Sequence, residues 1–98
     1  MLNWQLTPLM RELIDGIERL GGGGRESVIA EEASSRGESG DYGADAHFAK
    51  ALRELEARGI LRREMVITAR YWWMTEAAWR ERGHRGPAPA FPQTPLFS

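Results

Sequence analysis

The side chains best equipped for chemistry are cationic and lie in the second half of the chain. His47, Lys50, Arg53, Glu54 and Arg58 share the polar face of one predicted helix, and Arg62, Arg63 and Arg70 follow it. Guanidinium groups fork onto phosphate oxygens or the edge of guanine, and an ammonium acts as a point charge toward phosphate, so this set suits recognition of a polyanion. The same charges also suit the solvated exterior of an amphipathic helix and an edge strand, and Glu54 and Glu64 among them repel phosphate. No catalytic set competes. Ser27, Ser34, Ser35 and Ser39 have no histidine base beside them, and Glu31 and Glu32 are helix neighbours rather than a facing pair, so no enzyme is expected. The chain has no cysteine and only His47 and His84 as nitrogen ligands, which excludes zinc ribbons, iron–sulfur sites and disulfide scaffolds and leaves no cofactor or metal expected. Gly21 to Gly24 lack the lysine and hydroxyl that complete a phosphate-binding loop, and read as a connector.

These residues need a small scaffold. With 98 residues, 42% apolar and 28% charged, the chain can bury one modest core. A net charge of −1 argues against an indiscriminate polycation, but the charge is unevenly spread. Residues 1–49 hold four arginines against nine acidic residues, or −5, and residues 50–98 hold nine basic residues against five glutamates, or +4. A positive half facing a ligand and an acidic half facing away is the simplest arrangement. No stretch approaches the roughly 20 apolar residues of a membrane span. The start of the chain has no basic segment leading into an apolar stretch and a cleavage site, so the expected setting is the cytoplasm, away from membranes.

The periodicity predicts helices first and a hairpin late. From Thr7 to Leu20 the residues Leu9, Met10, Leu13, Ile14, Ile17 and Leu20 recur at spacings of three and four, with Thr7-Pro8 as the start and the glycines as the stop. A short second helix spans Glu26 to Arg36 and ends at Gly37, and Gly37 to Ala44 reads as a loop carrying Tyr42. Asp45 caps a third helix that runs to about Arg58, with Phe48, Ala51, Leu52 and Leu55 on its apolar face and Gly59 past its end. Two β-prone runs follow, Ile60 to Ile67 and Tyr71 to Met74, separated by Thr68, Ala69 and Arg70. The turn lacks an Asn-Gly or Asp-Gly pair, so type and register stay open. Alternation puts Tyr71 and Trp73 on one face and Trp72 and Met74 on the other. One pair is core, and an outward Trp72 would serve as a protein or dimer contact. Thr75 caps a last helix that stops at Gly83.

Helix, helix, helix, hairpin, with Ala57-Arg58-Gly59-Ile60-Leu61 joining third helix to first strand, resembles the winged helix-turn-helix family. Leu52 to Gly83 is similar to the closing half of MarR-like and PadR-like regulators, with Thr75-Glu76-Ala77-Ala78 in the place of their final helix start. The resemblance covers residues 7–83. It implies a mainly α fold with a small antiparallel β-hairpin, in a winged-helix domain of residues 1–83. It also implies a third helix that enters the major groove of double-stranded DNA with His47, Lys50 and Arg53 near bases or phosphates. Arg62, Arg63 and Arg70 would then meet the backbone, and self-association to a homodimer is a further implication. Two features depart from the family: the connection from Gly37 to Ala44 is long, and the hairpin turn is too short for a long basic wing. The contrasting reading is a protein-interaction module or inhibitor that uses its aromatic hairpin and tail and never touches DNA.

Residues 84–98 form the second region. Pro87, Pro89, Pro92 and Pro95 remove backbone donors, so an extended, flexible tail is expected after Gly83. It closes on Gln93-Thr94-Pro95-Leu96-Phe97, which resembles the bacterial sliding-clamp-binding motif. Gln93, Leu96 and Phe97 match the recognition positions of that motif, while Thr94 and Pro95 replace its usual residues. The resemblance implies a clamp, or another protein, as partner and a regulatory or replication-associated setting, a mobile element among them. The competing arrangement folds Phe91, Leu96 and Phe97 back onto Trp72 or Trp79.

Overall fold

Thr7 accepts a hydrogen bond from the Met10 amide and Pro8 occupies the first turn, so helix α1 (Pro8–Arg19) starts where the sequence predicts. The computed structural model describes residues 1–36 and 46–89. After α1 come β1 (Gly23–Arg25), α2 (Glu26–Arg36), α3 (Ala46–Ala57), β2 (Leu61–Val66), β3 (Ala69–Met74) and α4 (Glu76–Glu81). Among the described residues this is a small α/β domain of four helices and a three-stranded antiparallel sheet in the order β1-β3-β2. The expected Asp45 cap, the loop with Tyr42, and Phe91, Gln93, Leu96 and Phe97 lie outside the described residues.

Helix endings set the path of the chain. At the end of α3, the Gly59 amide donates to Glu56 and the Ile60 amide to Leu55, with Gly59 at φ 76°. This is the paired 5→2 and 6→1 closure that a left-handed residue permits. Its accompanying apolar contact joins Ile60 and Leu55, both fully buried, so α3 leads straight into β2. Helix α1 closes by the same pair of bonds, Gly21 to Glu18 and Gly22 to Ile17, and delivers the chain to β1.

Strand β1 corrects the reading of Gly21 to Gly24 as a connector. Gly23, Gly24 and Arg25 pair with Trp73, Trp72 and Tyr71, which makes β3 the central strand. A Cβ on Gly23 would overlap the Trp73 indole, so the missing side chain is what lets the ring lie across the edge strand. The core lies on the opposite face, where Leu61, Trp72 and Met74 meet the buried stripes of the helices: Leu13, Ile14 and Ile17 of α1, Ile29 and Ala33 of α2, and Phe48, Leu52 and Leu55 of α3. The N-terminal segment adds Leu2, Trp4 and Leu6 as partly buried packing against this core.

The hairpin turn also differs from expectation. Ala69 and Arg70 belong to β3, opposite Val66 and Met65, and the two-residue turn is Ile67-Thr68. Ile67 has φ 57° and is 94% exposed. Positive φ at the first of two central residues suits a right-twisted hairpin and ordinarily selects glycine, and a β-branched residue there stores about 1–3 kcal/mol of strain.

The Gly23 contact predicts a specific coupling. Gly23→Ala is expected to lower stability by about 2 kcal/mol in urea unfolding. In a Trp73→Ala background the same change is expected to cost less by more than about 0.5 kcal/mol, and additive costs would show that the indole does not constrain this position.

Candidate nucleic-acid interface

Helix α3 presents the cationic set in two groups. At 3.6 residues per turn, the buried stripe of Phe48, Ala51, Leu52 and Leu55 leaves Lys50 and Arg53 at the crest of the solvent face, with His47, Glu54 and Arg58 on the flank toward α1. A groove of about 330 Å³ lies on that flank, lined by Leu9 and Met10 of α1 and by His47, Lys50, Glu54 and Arg58. Arg58 is half-buried, donates to the Gln5 carbonyl at 2.6 Å and faces Glu54 at 3.5 Å, so it anchors the N-terminal segment. Lys50 and Arg53 are exposed, and neither has an ion-pair or hydrogen-bond partner among the described residues.

The hairpin arginines are all engaged. Arg62 donates to Glu64 at 2.9 Å, Arg63 lies 3.8 Å from Glu56 of α3, and Arg70 donates to Glu26 at 3.1 Å. Their side chains are 40–45% exposed, and pairs of this kind contribute at most about 1 kcal/mol. A phosphate can therefore replace a carboxylate partner at small cost.

Trp72 is not an outward contact residue. It is 2% exposed, donates its indole N–H to Glu26 at 2.8 Å, and carries the Arg63 guanidinium 5.9 Å from its ring centroid. The alternation holds, but its sign is opposite to the outward reading. Pairing with β1 makes β3 central, and its Trp72–Met74 face closes on the helices while Tyr71 and Trp73 share the other face with Arg25 and Glu64. Glu26 thus serves two donors from β3, a role that a sequence separation of more than forty residues concealed.

Nor does the tail leave the domain at His84. Gly83 closes α4 by the same paired bonds as α3, and the accompanying contact is the stack of His84 on Trp79, with ring centroids 3.7 Å apart. His84 Nε2 lies 2.5 Å from a Glu18 carboxylate oxygen, and Arg82 donates to Glu18 and to Asp15. A Cβ on Gly22 would overlap the Pro89 ring, which places Pro89 against the residue before β1. Burial opposes ionisation of Glu18, but hydrogen bonds from Arg82 and His84, together with their charges, outweigh it and hold the carboxyl below its ordinary value. The hydrogen bond to Glu18 raises the Arg82 pKa against the effect of burial.

Opposite charges of the two halves are therefore drawn together rather than segregated, in Glu26–Arg70 and in Asp15 and Glu18 with Arg82. The described residues contain no group of three or more His, Cys, Asp or Glu side chains able to hold a metal, and no helix among them is long and apolar enough to cross a membrane. Comparisons of the chain with models of protein families, with curated proteins and with solved structures each return no match.

A lowered glutamate pKa in the folded state gives stability that is fully present above the unfolded value of about 4.3 and is lost as pH falls through the folded value. Glu18→Gln is expected to lower stability by about 1 kcal/mol at neutral pH, with the deficit shrinking in acid. Urea unfolding at stepped pH measures it, and a deficit that stays constant into acid would exclude ionised Glu18 as the source.

Proposed function

We propose that this protein is a small winged-helix module that binds double-stranded DNA through α3 and reaches a protein partner through its C-terminal tail. The observation that carries the reading is the pair Lys50 and Arg53. They are exposed on the crest of a helix and have no partner among the described residues, in a molecule whose hairpin arginines and Arg82 are all paired. An ammonium and a guanidinium one turn apart are suited to phosphates flanking a groove, or to one phosphate and one guanine edge. The order α1-β1-α2-α3-β2-β3, with β1 joined to β3, supports the winged-helix reading because it places a cationic helix immediately before a two-stranded ribbon. Arg62, Arg63 and Arg70 would add backbone contacts by exchanging their carboxylate partners, and His47 borders the groove beside Lys50. The protein is read as a binding module rather than an enzyme.

Lys50→Ala/Arg53→Ala is expected to weaken generic duplex binding by about tenfold or more and to lower the slope of log K against log salt by about 2. Unchanged binding and slope would remove α3 from the interface.

In the tail, Gln93, Leu96 and Phe97 would dock as a glutamine and two apolar anchors on the bacterial sliding clamp. The physical support is Pro95 between the glutamine and the apolar pair, with Pro92 just before them, which reduces the entropy lost on docking. Full-length protein is expected to bind purified clamp saturably, and Leu96→Ala/Phe97→Ala to abolish this without changing duplex affinity. Equal clamp binding by the two proteins would discard the motif. Clamp binding with no duplex binding would instead favour a pure protein-interaction module.

A further inference from the structure

We propose that the hairpin tip is an apolar wedge, with Ile67 entering a base step from the minor groove and kinking the duplex. The proposal rests on the duplex-binding reading above and names what the hairpin does there. Met65 is 55% exposed, Val66 36% and Ile67 94%, and no charged residue lies between Glu64 and Arg70. Ile67 holds a positive φ that costs a β-branched residue strain, and its exposed side chain contributes almost no packing within the fold to offset it. Such a residue is explained by what it meets outside the domain.

Size and surroundings select the occupant. The three apolar side chains of Met65 and Val66 at the end of β2 and of Ile67 in the turn fall far short of the roughly 800 Å² per partner that a stable protein interface buries. They do match a narrow slot, and the minor groove is about 6 Å wide. Apolar wedges of Ile, Leu or Met are one established way of opening a base step there. The polyanion that offers this slot also suits Lys50 and Arg53, which have no partner among the described residues, and Arg62, Arg63 and Arg70 line the strands behind the tip. Reach agrees as well. Strand β2 starts four residues after the end of α3 and is itself about 17 Å long, comparable to half a turn of duplex and hence to the step from one groove to the other.

The test compares wild type and Ile67→Gly on a duplex with 2-aminopurine at a central TA step and a dye at each end. Glycine removes the wedge and accepts the positive φ, so the variant is expected to melt no lower than wild type. With the duplex saturated by either protein, wild type is expected to raise the 2-aminopurine signal and to bend the duplex by about 20–90°, while Ile67→Gly does neither. Binding by wild type without bending or unstacking overturns the wedge and leaves the duplex reading intact. Equal bending by both proteins also overturns it, and no duplex binding by wild type overturns wedge and reading together. A self-associated wild type that Ile67→Gly turns into a monomer, as seen by sedimentation, would assign the tip to a second copy and overturn the wedge.

Discussion

A sheet needs an inside, and a two-stranded hairpin whose second strand ends in Tyr-Trp-Trp-Met does not declare one, since both faces are apolar. Pairing of Gly23–Arg25 with Tyr71–Trp73 settles the matter. Once β3 is flanked on both edges it becomes the middle of a layer that the three larger helices cover, and Trp72 and Met74 are committed to the core. The pairing depends on a steric allowance at Gly23, where the Trp73 ring crosses the edge strand. The hairpin's orientation, and with it the direction in which the Ile67 turn projects, follows from this local permission. A side chain at Gly23 would contest the register of the whole sheet rather than one contact.

Charge is used twice in this molecule. Acidic residues of the first half neutralise arginines of the second across long sequence separations, which ties α2 to β3 and α1 to the segment after α4. The cations left over are fewer than the sequence totals suggest, and those of α3 stand beside an apolar-floored groove rather than in a broad basic field. A surface of this kind gives modest electrostatic attraction and leaves discrimination to geometry.

How legible the chain is depends on whether a signal is local. The α1 and α3 stripes, the Thr7 and Thr75 caps and the glycine stops are all encoded within one or two turns, and their elements fall where the periodicity puts them. The bounds of α2 are legible for the same reason. Strand β1 was not, because glycines have no alternation to read and the strand exists only through a partner some fifty residues away. The inner face of β3 was hidden by symmetry: alternation paired Trp72 with Met74 correctly but could not say which pair faces in. Ile67-Thr68 was hidden by its chemistry, since an isoleucine at positive φ has no turn preference to announce. Within the candidate interface, the exposed set on α3 was legible from helical spacing. The engagement of Arg63 and Arg70 was not, because Glu56 and Glu26 reach them only after folding.

The Glu18 cluster has a consequence for how the chain is made. Arg82 and His84 close onto a carboxylate of the first helix, and Leu2 and Trp4 hook the Glu81 carboxylate from the other terminus. During synthesis Asp15 and Glu18 of α1 and the Leu2 and Trp4 donors therefore emerge unmatched, and they wait until nearly the whole domain has left the ribosome before these contacts form. Long-range closure of this sort brings an entropic cost late and its reward all at once, so the domain gains its final locking only when its two ends meet.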